Sequence, residues 1–135
     1  WGSFSYASDG DRPIVVSYAS SPPVEVYFAE TPFDEAPTGV VVADGSCFRQ
    51  VEFVGILAGG KQRDLAEKLV DFLLNQRFQE DIPLQMFVFP ANANAALPDF
   101  YQWAERPAQP AQVSAEDIQA NRETWIKQWT ETVLR

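Results

Sequence analysis

Aromatic side chains at the ends of predicted elements are the residues of this sequence best placed to contact a ligand. Trp1 precedes the first predicted strand, Tyr18 follows that strand, and Phe87 lies in a later one. Such positions on a rigid scaffold often carry ligands, and aromatic faces attract quaternary or aromatic cations. The alternative to ligand binding is that these aromatic residues are ordinary core residues. The residue types considered alone favour this alternative.

Catalytic chemistry finds little support in the residue types. The 135-residue chain has no histidine, which removes the commonest general base and metal ligand. Ser17, Ser20 and Ser21 lack the Gly-x-Ser-x-Gly pattern of a nucleophile elbow. No phosphate-binding loop, dinucleotide fingerprint or Cys-x-x-Cys pair is present, so we predict no catalytic residue and no cofactor.

Composition narrows the class of protein. Hydrophobic residues make up 46% of the chain, enough for a core, and its length fits one domain. Acidic residues outnumber basic ones by 19 to 10, and this net charge of −9 argues against nucleic acid as a partner. No apolar run approaches the ~20 residues that would span a membrane. The chain begins at Trp1 without a methionine, which indicates a processed or truncated piece.

Strand and helix patterns alternate along the first half of the chain. Short β-branched or apolar runs predict strands at residues 14–16, 39–43 and 47–58. The first strand leads into small hydroxyl residues and prolines, where Ser20 or Ser21 can cap a helix that continues to Ala29.

The stretch from Asp64 to Asn94 organises the remaining elements. An apolar stripe predicts a helix with one buried face, formed by Leu65, Leu69, Phe72 and Leu73. The pattern breaks at residues 75–77, one further turn follows, and Pro83 is expected to stop it because proline lacks an N–H. A strand over residues 86–89 then ends at Pro90.

The last third of the chain is predicted to be an extended connection followed by one helix. Residues 97–110 contain three prolines and are expected to run over the surface. Ser114 is placed to cap the final helix, with acidic residues in its first turn. One face of that helix is expected to enter the core through Ile118, Trp125, Ile126, Trp129 and Val133.

Three segments of this sequence resemble a known family. They are residues 9–26 with their Ser-Tyr-x-x-Ser-Pro element, residues 64–94 with an aromatic strand ending in Phe-Pro, and residues 120–135 with Arg-x-x-Trp-Ile-x-x-Trp. Together they resemble the C-terminal half of the thiamine-binding members of the periplasmic solute-binding proteins of ABC importers. The resemblance covers nearly the whole chain.

The resemblance implies a fold and a division of the chain. The fold is α/β, the C-terminal portion of a type II periplasmic-binding-protein fold with a mixed sheet flanked by helices. Residues 1–50 and 87–135 would belong to the second lobe, and residues 51–86 to the first lobe. The apolar stripe of the first-lobe segment would then face water in this chain alone. Either two copies exchange the segment and cover the stripe by self-association, or the chain folds back on itself as one compact α/β unit.

The resemblance also implies a function. The protein would be an extracytoplasmic component that binds thiamine or a thiamine phosphate in a cleft between lobes, and would deliver it to an ABC permease in the membrane, without catalysis. The ligand-binding residues would be Trp1, Tyr18, Ser20 and Phe87. Val24 departs from a tyrosine of the family and Phe87 from a tryptophan, so binding of another solute (iron, a polyamine or an oxyanion) stays open. Iron is disfavoured because Tyr18 has no tyrosine neighbour, and a fragment of an α/β hydrolase is the remaining alternative.

Overall fold

Four α-helices and one 3-10 helix form the regular structure of the residues that can be described. The computed structural model describes residues 10–32 and 34–134. The helices are α1 (Ser21–Tyr27), α2 (Arg63–Leu74), α3 (Gln76–Gln85) and α4 (Ala115–Val133), and the 3-10 helix is Asp99–Trp103. The chain divides into unit 1 (Trp1–Val42 and Val51–Arg106) and unit 2 (Ala43–Gln50 and Pro107–Arg135).

Helix α1 confirms the helix start predicted at the hydroxyl residues and prolines. Ser20 occupies the N-cap position, and two prolines fill the first turn, where a missing N–H costs no helical hydrogen bond. The Ser20 side chain makes no capping bond, whereas its carbonyl accepts from the Val24 N–H at 3.2 Å. The helix ends at Tyr27, two residues before the predicted end, and packs against the 3-10 helix within unit 1.

Helices α2 and α3 meet at the predicted break. The Asn75 side chain caps α3 by accepting a hydrogen bond from the Phe78 N–H at 2.9 Å. The prediction that Pro83 stops this helix is wrong, because α3 continues to Gln85 with Pro83 inside it. The Pro83 ring is fully buried, and this burial offsets part of the roughly 3 kcal/mol that an interior proline costs a helix.

No strand forms within residues 10–32 and 34–134. The four runs predicted as strands lack a β-ladder, and one parallel bridge joins Phe48 to Ala111 in unit 2. Most side chains in these runs are open to solvent, as Val16 and Phe53 illustrate at 90% exposure each. A β-branched run fits a sheet only when partner strands supply its hydrogen bonds. The predicted mixed sheet is therefore not confirmed, and the described structure is helical.

The segment predicted as an extended connection contains the best-buried aromatic side chain of the described residues. Tyr101 lies in the 3-10 helix and is 3% exposed. Its hydroxyl donates a hydrogen bond to the Val88 carbonyl at 3.3 Å, and its ring packs edge-on against Phe89. Burial raises the pKa of Tyr101 to about 12, because the charged phenolate is disfavoured away from water.

Helix α4 begins as predicted but does not bury its apolar face. The Ser114 hydroxyl accepts from the Asp117 N–H at 3.0 Å, which confirms the N-cap. Trp125 and Trp129 are 43% and 56% exposed, so their assignment to a core is wrong for the structure described. The stripe on α2 is open in the same way, with Leu65 64% exposed. Neither unit contains a sheet among its described residues that could cover these faces. No described helix has both the length and the apolar character needed to cross a bilayer.

Candidate functional site

The predicted site residues occupy different environments. Trp1 lies outside the residues that the structure describes. Tyr18 is 74% exposed in the turn before α1, where its carbonyl accepts from the Ser21 N–H at 3.0 Å. Ser20 is buried at the start of the helix, and Phe87 is half-buried just after α3. The structure shows no ring contact between Tyr18 and any other described aromatic residue, so it does not bring Tyr18 and Phe87 together.

Phe87 has an unusual backbone conformation. Its φ of 54° lies in the left-handed region, which a bulky residue adopts only when its surroundings hold it there. One support is the end of α3, where the Met86 N–H donates to the Ile82 carbonyl at 2.9 Å. The other is aromatic, because the Phe87 ring lies 5.5 Å from Tyr27 and 5.6 Å from Phe28 between ring centroids.

Residues that the sequence did not single out complete this aromatic cluster. Tyr27 contacts Phe28 and Phe100 as well as Phe87, in each case with ring centroids 5.0–5.5 Å apart. Phe100 in turn contacts Tyr101 at 5.3 Å. The available signal was an adjacent Tyr-Phe pair at the end of a short helix, immediately after the hydroxyl and proline element that carries Tyr18 and Ser20.

Gln79 fixes the segment that follows Phe87. It is 7% exposed and donates through Nε2 to the Leu73 carbonyl at 2.7 Å. Its Oε1 accepts from the N–H groups of Ala91 and Asn92 at 2.6 and 3.2 Å. One buried side chain thus ties the end of α2 to the loop after Pro90, and the segment carrying Phe87 is held at both ends.

No group of three or more cysteine or acidic side chains among the described residues is arranged to hold a metal ion. The Glu80 carboxylate accepts hydrogen bonds from Gln76 and from the Ala96 N–H, and both lower the pKa of that carboxyl. Glu80 lines an open depression of about 720 Å³ that contains none of the predicted site residues; the other lining residues are Phe72, Arg77, Phe78, Asp81 and Leu84.

Comparison with known proteins identifies relatives over most of the chain. It is 29% identical over 128 residues to the thiamine-binding periplasmic protein of Escherichia coli (strain K12), an alignment covering 93% of this chain and 37% of that protein. The corresponding Salmonella typhimurium protein matches at the same identity and coverage, and that of Brucella suis at 25% identity over 127 residues. The resemblance to thiamine-binding periplasmic proteins is confirmed. The chain spans 37% of the length of these curated relatives.

Solved structures and family models provide two further comparisons. A solved structure described as a periplasmic thiamin binding protein matches with 31% sequence identity and a TM-score of 0.49, over 58% of this chain and 24% of that one. No family model matches the chain.

Proposed function

We propose that the chain is the C-terminal portion of an extracytoplasmic solute-binding protein that captures thiamine or a thiamine phosphate for an ABC importer. The observation that carries this proposal is similarity along 93% of the chain to proteins named for binding thiamine in the periplasm. The protein would act in the periplasm, would pass its ligand to a membrane permease, and would need no cofactor. The absence of histidine and of a nucleophile elbow in the sequence supports binding without catalysis.

The ligand would be held by aromatic stacking. The thiazolium ring of thiamine carries a fixed positive charge, and a cation over an aromatic face gains roughly 0.5–2 kcal/mol. Trp1, Tyr18 and Phe87 would supply the rings, and Ser20 would border the ligand at the start of α1. Exposure of 74% leaves the Tyr18 ring free to take up a ligand.

The whole protein would have the type II periplasmic-binding-protein fold, with a mixed sheet flanked by helices. Residues 1–50 and 87–135 would belong to one lobe and residues 51–86 to the other. The open apolar runs support this assignment, because Phe53 and Leu57 are 90% and 84% exposed and would be covered by neighbouring strands in a two-lobed protein. In this chain alone, the α2 stripe would be covered by self-association.

Calorimetric titration of the full-length protein with thiamine tests the function. We expect binding of thiamine or its monophosphate, and no competition from ferric ion, spermidine or inorganic phosphate. Tyr18→Ala should raise the Kd about 2- to 30-fold through loss of one stacked cationic contact. Tyr18→Phe, which keeps the ring at the same position, serves as the matched control and should bind as the parent does.

Two outcomes of this titration would contradict the proposal at different levels. Binding of one of the competing solutes in place of thiamine would refute the assigned ligand. Thiamine affinity equal in Tyr18→Ala and Tyr18→Phe would remove Tyr18 from the site while leaving the function in place.

A further inference from the structure

Three aromatic rings of unit 1 contact one another in a closed triangle. Ring centroids lie 5.0 Å apart for Tyr27 and Phe28, 5.5 Å for Tyr27 and Phe87, and 5.6 Å for Phe28 and Phe87. The interplanar angles are 85°, 65° and 53°, so no two of the three rings are parallel. The triangle therefore presents aromatic faces in several directions.

Two rings of this triangle are open to solvent. Phe28 is 67% exposed and Tyr27 is 47% exposed. Solvation of large apolar surface is unfavourable, and exposed aromatic surface of this kind is typical of interaction sites. The strained backbone of Phe87 points the same way, because left-handed conformations of bulky residues concentrate at ligand clamps.

Charge near the triangle favours a cationic occupant. The three segments that carry these rings and Phe100 are residues 21–28, 84–90 and 97–101, and their charged side chains are Glu25 and Asp99, both acidic. Arg106 lies 4.4 Å from the centroid of the Phe89 ring, which is not one of the three rings of the triangle. Aromatic faces without a competing lysine or arginine in their own segments are suited to a cationic ligand.

We propose that Tyr27 and Phe28 are specificity-determining residues of the ligand site, forming with Phe87 a stacking surface for a cationic heteroaromatic molecule. The inference rests on the proposed function and deepens it. Phe28, the most exposed ring, would contact the ligand. Tyr27 would act as a positioning residue, because its ring touches Phe28, Phe87 and Phe100 and keeps them in place. A ligand with two rings joined by a flexible link, as in thiamine, can lay each ring against a different face of the triangle.

The test is calorimetric titration of full-length variants with thiamine. Phe28→Ala and Phe28→Leu should each raise the Kd about 2- to 30-fold, the range of one cation–π contact. The leucine variant keeps an apolar side chain at this position. An equal rise in Kd for both variants therefore assigns the effect to loss of the aromatic ring and not to the space left by a smaller side chain. Tyr27→Leu should also raise the Kd, and Tyr27→Phe should restore it because the ring is kept.

A second readout separates stacking from general support of the fold. An N-methylthiazolium cation and the neutral thiazole of the same shape are compared as competitors of thiamine. The parent protein should bind the cation more tightly than the neutral thiazole, and Phe28→Leu should reduce the ratio of these two affinities.

Each outcome distinguishes this inference from the function on which it rests. If the parent binds thiamine and both Phe28 variants bind as the parent does, the triangle is not part of the site, although the function stands. If Phe28→Leu leaves the preference for the cation unchanged, Phe28 does not contact the charge and the inference is overturned. If the parent protein fails to bind thiamine, the proposed function and this inference fall together.

Discussion

Replacing Gln79 with leucine removes a buried polar hub that connects α2 to the loop after Pro90. The Gln79 side chain makes three hydrogen bonds to backbone groups, at 2.7 Å to Leu73, 2.6 Å to Ala91 and 3.2 Å to Asn92. A net contribution of about 0.5–1.5 kcal/mol per bond would total roughly 1.5–4.5 kcal/mol. The longest bond is weak, and Ala91 is exposed enough for water to replace part of the loss, so we expect a loss of about 2–3 kcal/mol.

Urea denaturation measures this free energy of unfolding. Gln76→Leu is the matched control, since Gln76 is an exposed glutamine one turn earlier that donates to Glu80 on the same helix. Its replacement should change the free energy of unfolding by less than about 0.5 kcal/mol. Hydrogen exchange adds a local readout, because the amide protons of Ala91 and Asn92 should exchange faster in Gln79→Leu only. Equal stability of the two variants, with unchanged protection of Ala91 and Asn92, would refute the assignment of Gln79 as the hub.

Three further predictions follow from burial and exposure. Burial raises the pKa of Tyr101 from its ordinary value of 10.0 to about 12. The resulting contribution to the free energy of unfolding, roughly 2–3 kcal/mol, is fully present below pH 10 and is lost as the pH rises through 12. Urea melts between these pH values should show the decline in stability, and Tyr101→Phe should lack it. Trp125→Ala should cost the chain itself less than about 2 kcal/mol in a thermal melt, because the ring is 43% exposed, whereas a loss of ~3–5 kcal/mol would place it in a core. Light scattering of the chain alone should show an apparent mass that increases with concentration. Leu69→Lys, on the α2 stripe, should reduce this increase, and Leu57→Lys, outside the stripe, should not. A strictly monomeric parent would contradict the prediction.

Local features of the structure were predictable because neighbours in sequence determine them. Ser114 and Asn75 cap their helices through side-chain oxygens three residues from the amide they bind. The prolines after Ser20 begin α1 because that position needs no N–H. The prediction that Pro83 ends α3 failed, because proline is tolerated inside this helix through burial of its ring. Sequence spacing does not reveal that burial.

Features that depend on distant partners were not predictable in this way. The run from Val51 to Leu57 has the composition of a strand, yet composition does not supply the strand that must pair with it. The exposed tryptophans of α4 illustrate the same limit, because an apolar stripe indicates a face to be covered without providing its cover.

The residues proposed for the site show both situations. Tyr18 and Phe87 were predicted from their places at the ends of predicted elements. Tyr27 and Phe28 drew no prediction, because only the folded chain brings the end of α1 against the residue after α3. The left-handed φ of Phe87 is likewise a result of packing around it.

A crystal structure of the full-length protein grown with thiamine tests the central claim most directly. The account predicts a ligand between two lobes, with its rings in van der Waals contact with Tyr18 and Phe87, and a mixed sheet that includes the runs left open here. A ligand bound away from both residues, or a protein whose sheet excludes those runs, would contradict it.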